Sequence, residues 1–230
     1  MSDQEPDSAT LLKVMGIIDS LREGFIESLG PVTPTTKFIL IQLFKVWRQV
    51  SLRRVVDLAE SSHLQFAEGR LVPGCTLTRS LYETVAIRYY VHKKIDQLTD
   101  LNDPESIHNL LGGAVFGNKD LPGIPANPIQ VLTALDHLDK EFKVMRLEYE
   151  HLCEYAHPNM KGAFATYAKQ VVPSLETHFG LNPQELTMGT WGLSSLEMIL
   201  LVARGIEDRL ENLAPRFIAM AEQCAPDTLH

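Results

Sequence analysis

Apolar residues recur along the chain at helical spacing, in long stretches interrupted by Gly and Pro. The first period predicts a helix from about Thr10 to Leu29, capped by Asp7 or Ser8 and stopped by Gly30-Pro31. A second begins after Pro34, with Thr35 or Thr36 as cap, and carries Phe38, Ile41, Phe44, Trp47, Val50, Val55 and Leu58 before ending between His63 and Gly69. Apolar residues cover most of its circumference in the first half, which predicts a central helix covered from several sides. Pro73-Gly74 separates it from a third helix at about 76–98, where Leu77, Leu81, Val85 and Ile95 share one face. The fourth, at about 128–156, has the clearest pattern: Val131, Leu135, Leu138, Phe142, Met145, Tyr149, Leu152 and Ala156 alternate four and three apart. Such a seam predicts nearly parallel or antiparallel packing against neighbouring helices. Pro158 disfavours helical geometry at His157 and ends this helix. A last helix is expected at about 192–224, kinked at Pro215.

Two stretches break this rhythm. Residues 99–127 form a long connection with a short helix around Ser106–Leu111. Gly112 and Gly117 have phosphate-loop spacing, but Asn118 stands where that motif needs Lys and no strand precedes it, so no cofactor is implied. Residues 162–180 read as a small hairpin or an irregular insertion. The expected fold class is therefore all-α, a bundle of five or six helices, with 1–9 as a disordered leader and 10–225 as a single helical-bundle domain.

Composition narrows the function classes. Of 230 residues, 45% are hydrophobic and 22% charged, in proportions usual for a globular chain. The net charge of −8 argues against a surface that coats nucleic acid, although it leaves a local phosphate-facing cleft open. Cys75, Cys153 and Cys224 are widely spaced and form no metal, redox or disulfide motif, as in a reduced cytoplasmic protein. The polar, acidic start is unlike a signal peptide, and the longest dense apolar run, Phe38 to Trp47, is far short of the roughly 20 residues that span a bilayer. A membrane is not expected as a partner.

Candidate chemistry concentrates on the third and fourth helices. Arg88 and His92 fall on the apolar face of the third, where they need partners or a cavity. Arg79 and Glu83 lie on roughly the opposite side, one turn apart. On the fourth helix Arg146, Glu150, Cys153 and His157 occupy a sector of about 60° beside the seam. His157 stands at a helix C-terminus, where the macrodipole favours its protonated form and suits it to acid catalysis or phosphate contact. The plainer reading makes Arg146 and Glu150 an i,i+4 pair and His157-Pro158-Asn159 a helix stop. Lys45, Arg48, Arg53 and Arg54 concentrate positive charge on the second helix, most simply as a solvated face. Glu60 to His63 and Glu154 to His157 each give Glu-x-x-His, the spacing used by carboxylate metal bundles, to which Glu83 could contribute.

The Arg-x4-His run from Arg146 to His151, at the end of a long helix, resembles the signature of the HEPN superfamily. Arg79-Ser-Leu-Tyr-Glu83 together with Tyr149-x-x-Leu-Cys-x-Tyr-Ala-His-Pro158 resembles a mostly bacterial, uncharacterised branch of such helical proteins, over about residues 35–225. The resemblance implies a helical bundle binding RNA or a nucleotide, with metal-independent ribonuclease activity. It makes Arg146 and His151 the catalytic pair, or alternatively assigns the family's His to His157. Leu147 departs from the polar residue common after that Arg. It also implies a homodimer, with Arg79 and Glu83 as a clamp for His157. Two further classes stand beside it: a non-enzymatic interaction or sensor module, and a metal-binding carboxylate bundle using Glu60, His63, Glu83, Glu154 and His157. Convergence of Arg79, Glu83, Arg146, His151 and His157 on one cleft distinguishes the enzyme from the module.

Overall fold

The computed structural model describes residues 8–30, 36–117, 129–171, 173–181 and 186–224. About 81% of the protein is helical, as expected for an all-α bundle. The elements run α1 (Ser8–Arg22), α2 (Thr36–Ala67), α3 (Leu71–Asp100), α4 (Pro104–Phe116), α5 (Val131–Glu141) and α6 (Met145–Ala156). A π-helical turn (Met160–Ala165) follows, then β1 (Ala168–Val171), β2 (Glu176–Phe179) and α7 (Leu186–Gln223). Most of the leader and residues 118–127 of the long connection lie outside the described residues; Ser8 and Ala9 already belong to α1.

α3 is the hub and packs against α2, α4, α5, α6 and α7, while α1 lies on α2 and α7. Its expected stripe is the one buried: Leu81, Val85 and Ile95 are fully enclosed and Leu77 half so. α2 is central as its pattern requires, with Phe44 and Trp47 in the core and the Phe44 ring 4.6 Å from that of Phe217 on α7. Phe38 and Val50, expected on its apolar stripe, are exposed. Among the described residues no helix is long and apolar enough to cross a membrane.

Several boundaries differ from expectation, each for a physical reason. α1 ends at Arg22, well short of Leu29, because side chains of α2 capture the chain that follows. Gln49 donates to the Gly24 carbonyl at 2.9 Å and accepts from the Ile26 N–H at 3.1 Å, and Arg53 donates to the Ile26 carbonyl. α2 and α3 are separated at Gly69, whose φ of +71° favours glycine, and not at Pro73-Gly74. Pro73 instead sits in the first turn of α3, where its missing N–H costs nothing. Gly74 lets the two helices close: a Cβ there would lie 2.7 Å from the Phe66 ring.

The predicted helix at 128–156 is two helices. The chain leaves helical geometry at Phe142, and Val144 takes a left-handed φ of 73°, which is unfavourable for a β-branched residue. Contacts on both sides hold it there. Asp139 accepts the Arg146 N–H at 3.1 Å, and Glu141 is bound by the Tyr89 hydroxyl at 2.7 Å and by Arg209 at 2.5 Å. The seam survives the break because both pieces pack on α3. The short helix expected within 99–127 is the longer α4, capped by the Asp103 side chain and continuing through Gly112 and Gly113. Burial of Ile107 and Leu111 against α2 and α3 offsets the poor helix propensity of the glycines.

The insertion expected near 162–180 contains an antiparallel hairpin, with Ala168 opposite Phe179 and Val171 opposite Glu176. Its root is tightly specified. The Asn159 side chain accepts the N–H groups of Lys161 and Gly162, both at 3.0 Å, and Thr166 bonds back to the Lys161 carbonyl at 2.7 Å. Position 162 admits only glycine, since a Cβ would stand 2.1 Å from the His157 carbonyl oxygen and 2.5 Å from that of Tyr155.

Candidate functional site

The residues singled out by sequence fall into separate environments. On the α3–α6 interface Arg79 pairs with Glu83 at 3.0 Å, and both meet the Tyr149 hydroxyl. That hydroxyl donates to Glu83 at 2.9 Å and accepts from Arg79 at 3.4 Å, with the guanidinium 5.6 Å from the ring centroid. Burial pushes the Tyr149 phenol up to about 12, with Arg79 opposing the rise and Glu83 adding to it. The Tyr149 bond, together with Glu83, raises Arg79. Arg79 and Glu83 are therefore a clamp, but the group they hold is Tyr149 rather than His157.

Arg146 belongs to a different cluster on the outer side of α6. It bonds Glu150 at 2.8 Å and Asp136 at 3.1 Å, and the Glu150 bond raises its pKa. The i,i+4 pair of the plainer reading is thus present, reinforced by a third residue from α5. His151 packs edge-on against Trp191 of α7, ring centroids 5.7 Å apart. His157 is exposed at the C-cap of α6, where its backbone N–H bonds the Cys153 carbonyl and its own carbonyl accepts from Asn159. No hydrogen bond, ion pair or ring contact among the described residues links Arg146, His151 and His157 to one another.

Arg88 is 1% exposed and fully engaged. It pairs with Glu207 of α7 and donates to the Arg48 carbonyl at 3.0 Å and the Ser51 hydroxyl at 2.6 Å. Arg48 binds the other oxygen of Glu207 at 2.5 Å and reaches Glu211 at 2.9 Å. Burial lowers Arg88 to about 10, with Glu207 resisting, so it stays cationic near neutrality. His92 is also buried, and its Nδ1 has no partner. Burial lowers it to about 4 despite Asp96, so it is neutral near pH 7.

Of Lys45, Arg48, Arg53 and Arg54 on α2, all but Arg48 are exposed, as a solvated face requires. Arg48 is spent on Glu207, Arg53 lies 4.4 Å over the Phe25 ring, and Arg54 bonds Thr84 at 3.2 Å; Lys45 is exposed. The metal-bundle donors are equally scattered. Glu60 pairs with Arg22, His63 bonds the Leu11 carbonyl at 3.2 Å, Glu83 holds Tyr149, and Glu154 accepts from Asn159 at 3.3 Å. Among the described residues no three His, Cys, Asp or Glu side chains are grouped to hold a metal.

Sequence reasoning missed Glu207, Trp191 and Glu141. Glu207 had a readable signal: it sits on the α7 stripe, four residues after Ala203 and three before Leu210, where a carboxylate requires a buried cation. The exposed apolar residues of the insertion were also missed. Met160, Phe164, Tyr167, Leu175, Phe179 and Leu181 are all exposed, Phe179 by 86% and Leu175 by 70%. No protein family, curated protein or solved structure matches the chain.

Proposed function

We propose that this protein is a non-catalytic interaction module that docks a polypeptide with residues 160–181. The observation that carries the reading is the run of exposed large apolar side chains on that segment, raised on a root held by Asn159, Gly162 and Thr166. Apolar side chains in such density mark contact surfaces. Dispersal of the polar candidates supports the same reading. A phosphodiesterase built on the resemblance to HEPN proteins needs Arg146 and His151 or His157 aimed at one phosphate, and Arg146 is committed to Asp136 and Glu150.

Two measurements test this. RNA, single-stranded and structured, incubated with the protein in chelator is expected to stay intact; cleavage abolished by Arg146→Ala and His157→Ala overturns the module in favour of the ribonuclease. A photo-crosslinking residue at Phe164 is expected to yield a polypeptide adduct in cells expressing the chain, and one at Lys13 is not. Absence of any adduct at Phe164 also overturns the reading.

A further inference from the structure

β2 has an open edge whose backbone and side chains are self-complementary. The Gly180 N–H bonds the Tyr167 carbonyl at 3.0 Å, which makes that pair a hydrogen-bonded one in the antiparallel ladder. Such pairs alternate, so His178 and Glu176 turn their backbone groups toward Lys169 and Val171 of β1. The N–H and C=O of Thr177 and Phe179 consequently point the other way. Among the described residues the sheet has two strands, so nothing pairs with that edge. β1 differs in packing beside the π-helical turn.

We propose that β2 pairs with β2 of a second copy of this chain, about a two-fold axis perpendicular to the sheet and passing midway between the two Thr177 residues. The inference rests on the docking reading above and names its partner. An axis of this kind keeps each side chain on its own face, so it can centre only where a residue faces its own copy and not between neighbours in sequence. Centred on Thr177, it sets the outward backbone groups of the two Thr177 residues against each other. It also places Glu176 opposite His178 of the second copy, twice, as non-hydrogen-bonded pairs, where cross-strand side chains come closest. Centred on His178, the same ladder would set the two imidazoles against each other and leave Glu176 facing Gly180. A carboxylate facing an imidazole, a contact that Glu176 and His178 already make at 3.5 Å within one chain, therefore favours the Thr177 register. The pairing turns two four-residue strands, marginal by themselves, into one four-stranded sheet. It also brings Phe179, 86% exposed, to the junction. Among the described residues β2 carries neither a bulge nor a proline, two of the devices that block edge pairing.

Sedimentation velocity on the full chain, over about 1–100 µM for a small interface, tests the inference. The wild type is expected to shift from monomer to dimer across this range. Thr177→Pro removes an N–H that does not face β1, so it is expected to abolish dimers while leaving the thermal midpoint unchanged. Glu176→Lys and His178→Glu, taken singly, are expected to weaken association at least tenfold, and the exchange Glu176→His with His178→Glu to restore it. That rescue keeps the register testable if the proline variant fails to fold. A monomeric wild type at every concentration, a dimer indifferent to Thr177→Pro, or a failed exchange overturns the inference. The two proposals fail separately: a Phe164 adduct with a different polypeptide, on a monomeric chain, sinks the self-pairing and keeps the module.

Discussion

Replacing Glu207 with Gln removes the one negative charge shared by two guanidinium groups and nearly conserves shape. Arg88 is 1% exposed and Glu207 6%, so water cannot take over the role of the lost charge. Arg48 retains Glu211 and is partly solvated, but Arg88 is left with the Arg48 carbonyl and the Ser51 hydroxyl alone. Breaking a buried ion pair from one side costs about 3–5 kcal/mol. The amide still accepts one hydrogen bond, which places the expected loss near the lower end, about 3 kcal/mol. Urea unfolding followed by far-UV circular dichroism reads this as a lower midpoint at unchanged slope. The companion pair Arg88→Met with Glu207→Leu removes both charges and the desolvation they require. It is expected to cost less than Arg88→Met or Glu207→Leu alone, a coupling of at least about 2 kcal/mol. A loss under about 1 kcal/mol for Glu207→Gln, or strict additivity in the double variant, refutes the claim that these groups are a buried, mutually dependent pair.

Three further outcomes are expected. Gly192→Ala sets a methyl 2.8 Å from the Phe66 ring and 3.3 Å from the Cys75 sulfur, and should destabilise by about 1–3 kcal/mol. Scanning calorimetry should show Phe66→Leu recovering part of that loss; an unaltered midpoint for Gly192→Ala contradicts the packing. His92, near 4 when folded against about 6.5 when unfolded, binds more protons in the unfolded chain between those values. Stability should therefore fall as pH drops from about 6.5 to 4, by at most about 3 kcal/mol, and His92→Phe should flatten the slope. Glu141, lowered from 4.5, adds its own loss at the acid end of that window and Asp103, lowered from 3.8, below it, so a wild-type profile that is flat between about 5 and 6.5 sinks this assignment. Tyr149→Phe removes the hydroxyl joining Glu83 and Arg79 and should cost about 1.5–3 kcal/mol, as for hydrogen bonds to charged groups. Unchanged denaturant midpoints would make the clamp energetically idle.

Periodicity made the helices readable and left their ends hidden. The seam from Val131 to Leu152 is real packing on α3, yet it crosses a break at Val144 because a stripe records which side faces the core and not whether the backbone is continuous. The break is stabilised locally by Asp139 and, from far along the sequence, by Tyr89 and Arg209 on Glu141. Gly112 and Gly113 likewise read as a turn until Ile107 and Leu111 are seen buried. On the chemical side, Arg88 and His92 were legible as polar groups on an apolar face, and burial there is what the pattern demands. The contacts that separate Arg146, His151 and His157 were not legible: Asp136 and Glu150 hold Arg146, Trp191 packs on His151, and His157 stands exposed at the C-cap of α6.

The arginines show how an acidic protein spends several of its basic residues inside the fold. Arg48 and Arg88 join α2 and α3 to α7, Arg79 joins α3 to α6, Arg146 joins α6 to α5, and Arg209 and Arg216 join α7 to α5 and α3. A guanidinium suits this use because its fork can hold two acceptors from different helices at once. The same commitment makes it a poor phosphate contact, since a ligand must first displace a carboxylate already in place. Counterion release from nucleic acid rewards only cations that become newly paired, so an arginine exchanging one anion for another returns little affinity. Net charge of −8 then adds a long-range penalty instead of steering. On the docking reading proposed above, recognition falls to the surface that charge does not dominate, the exposed apolar side chains and open strand edge between Met160 and Leu181.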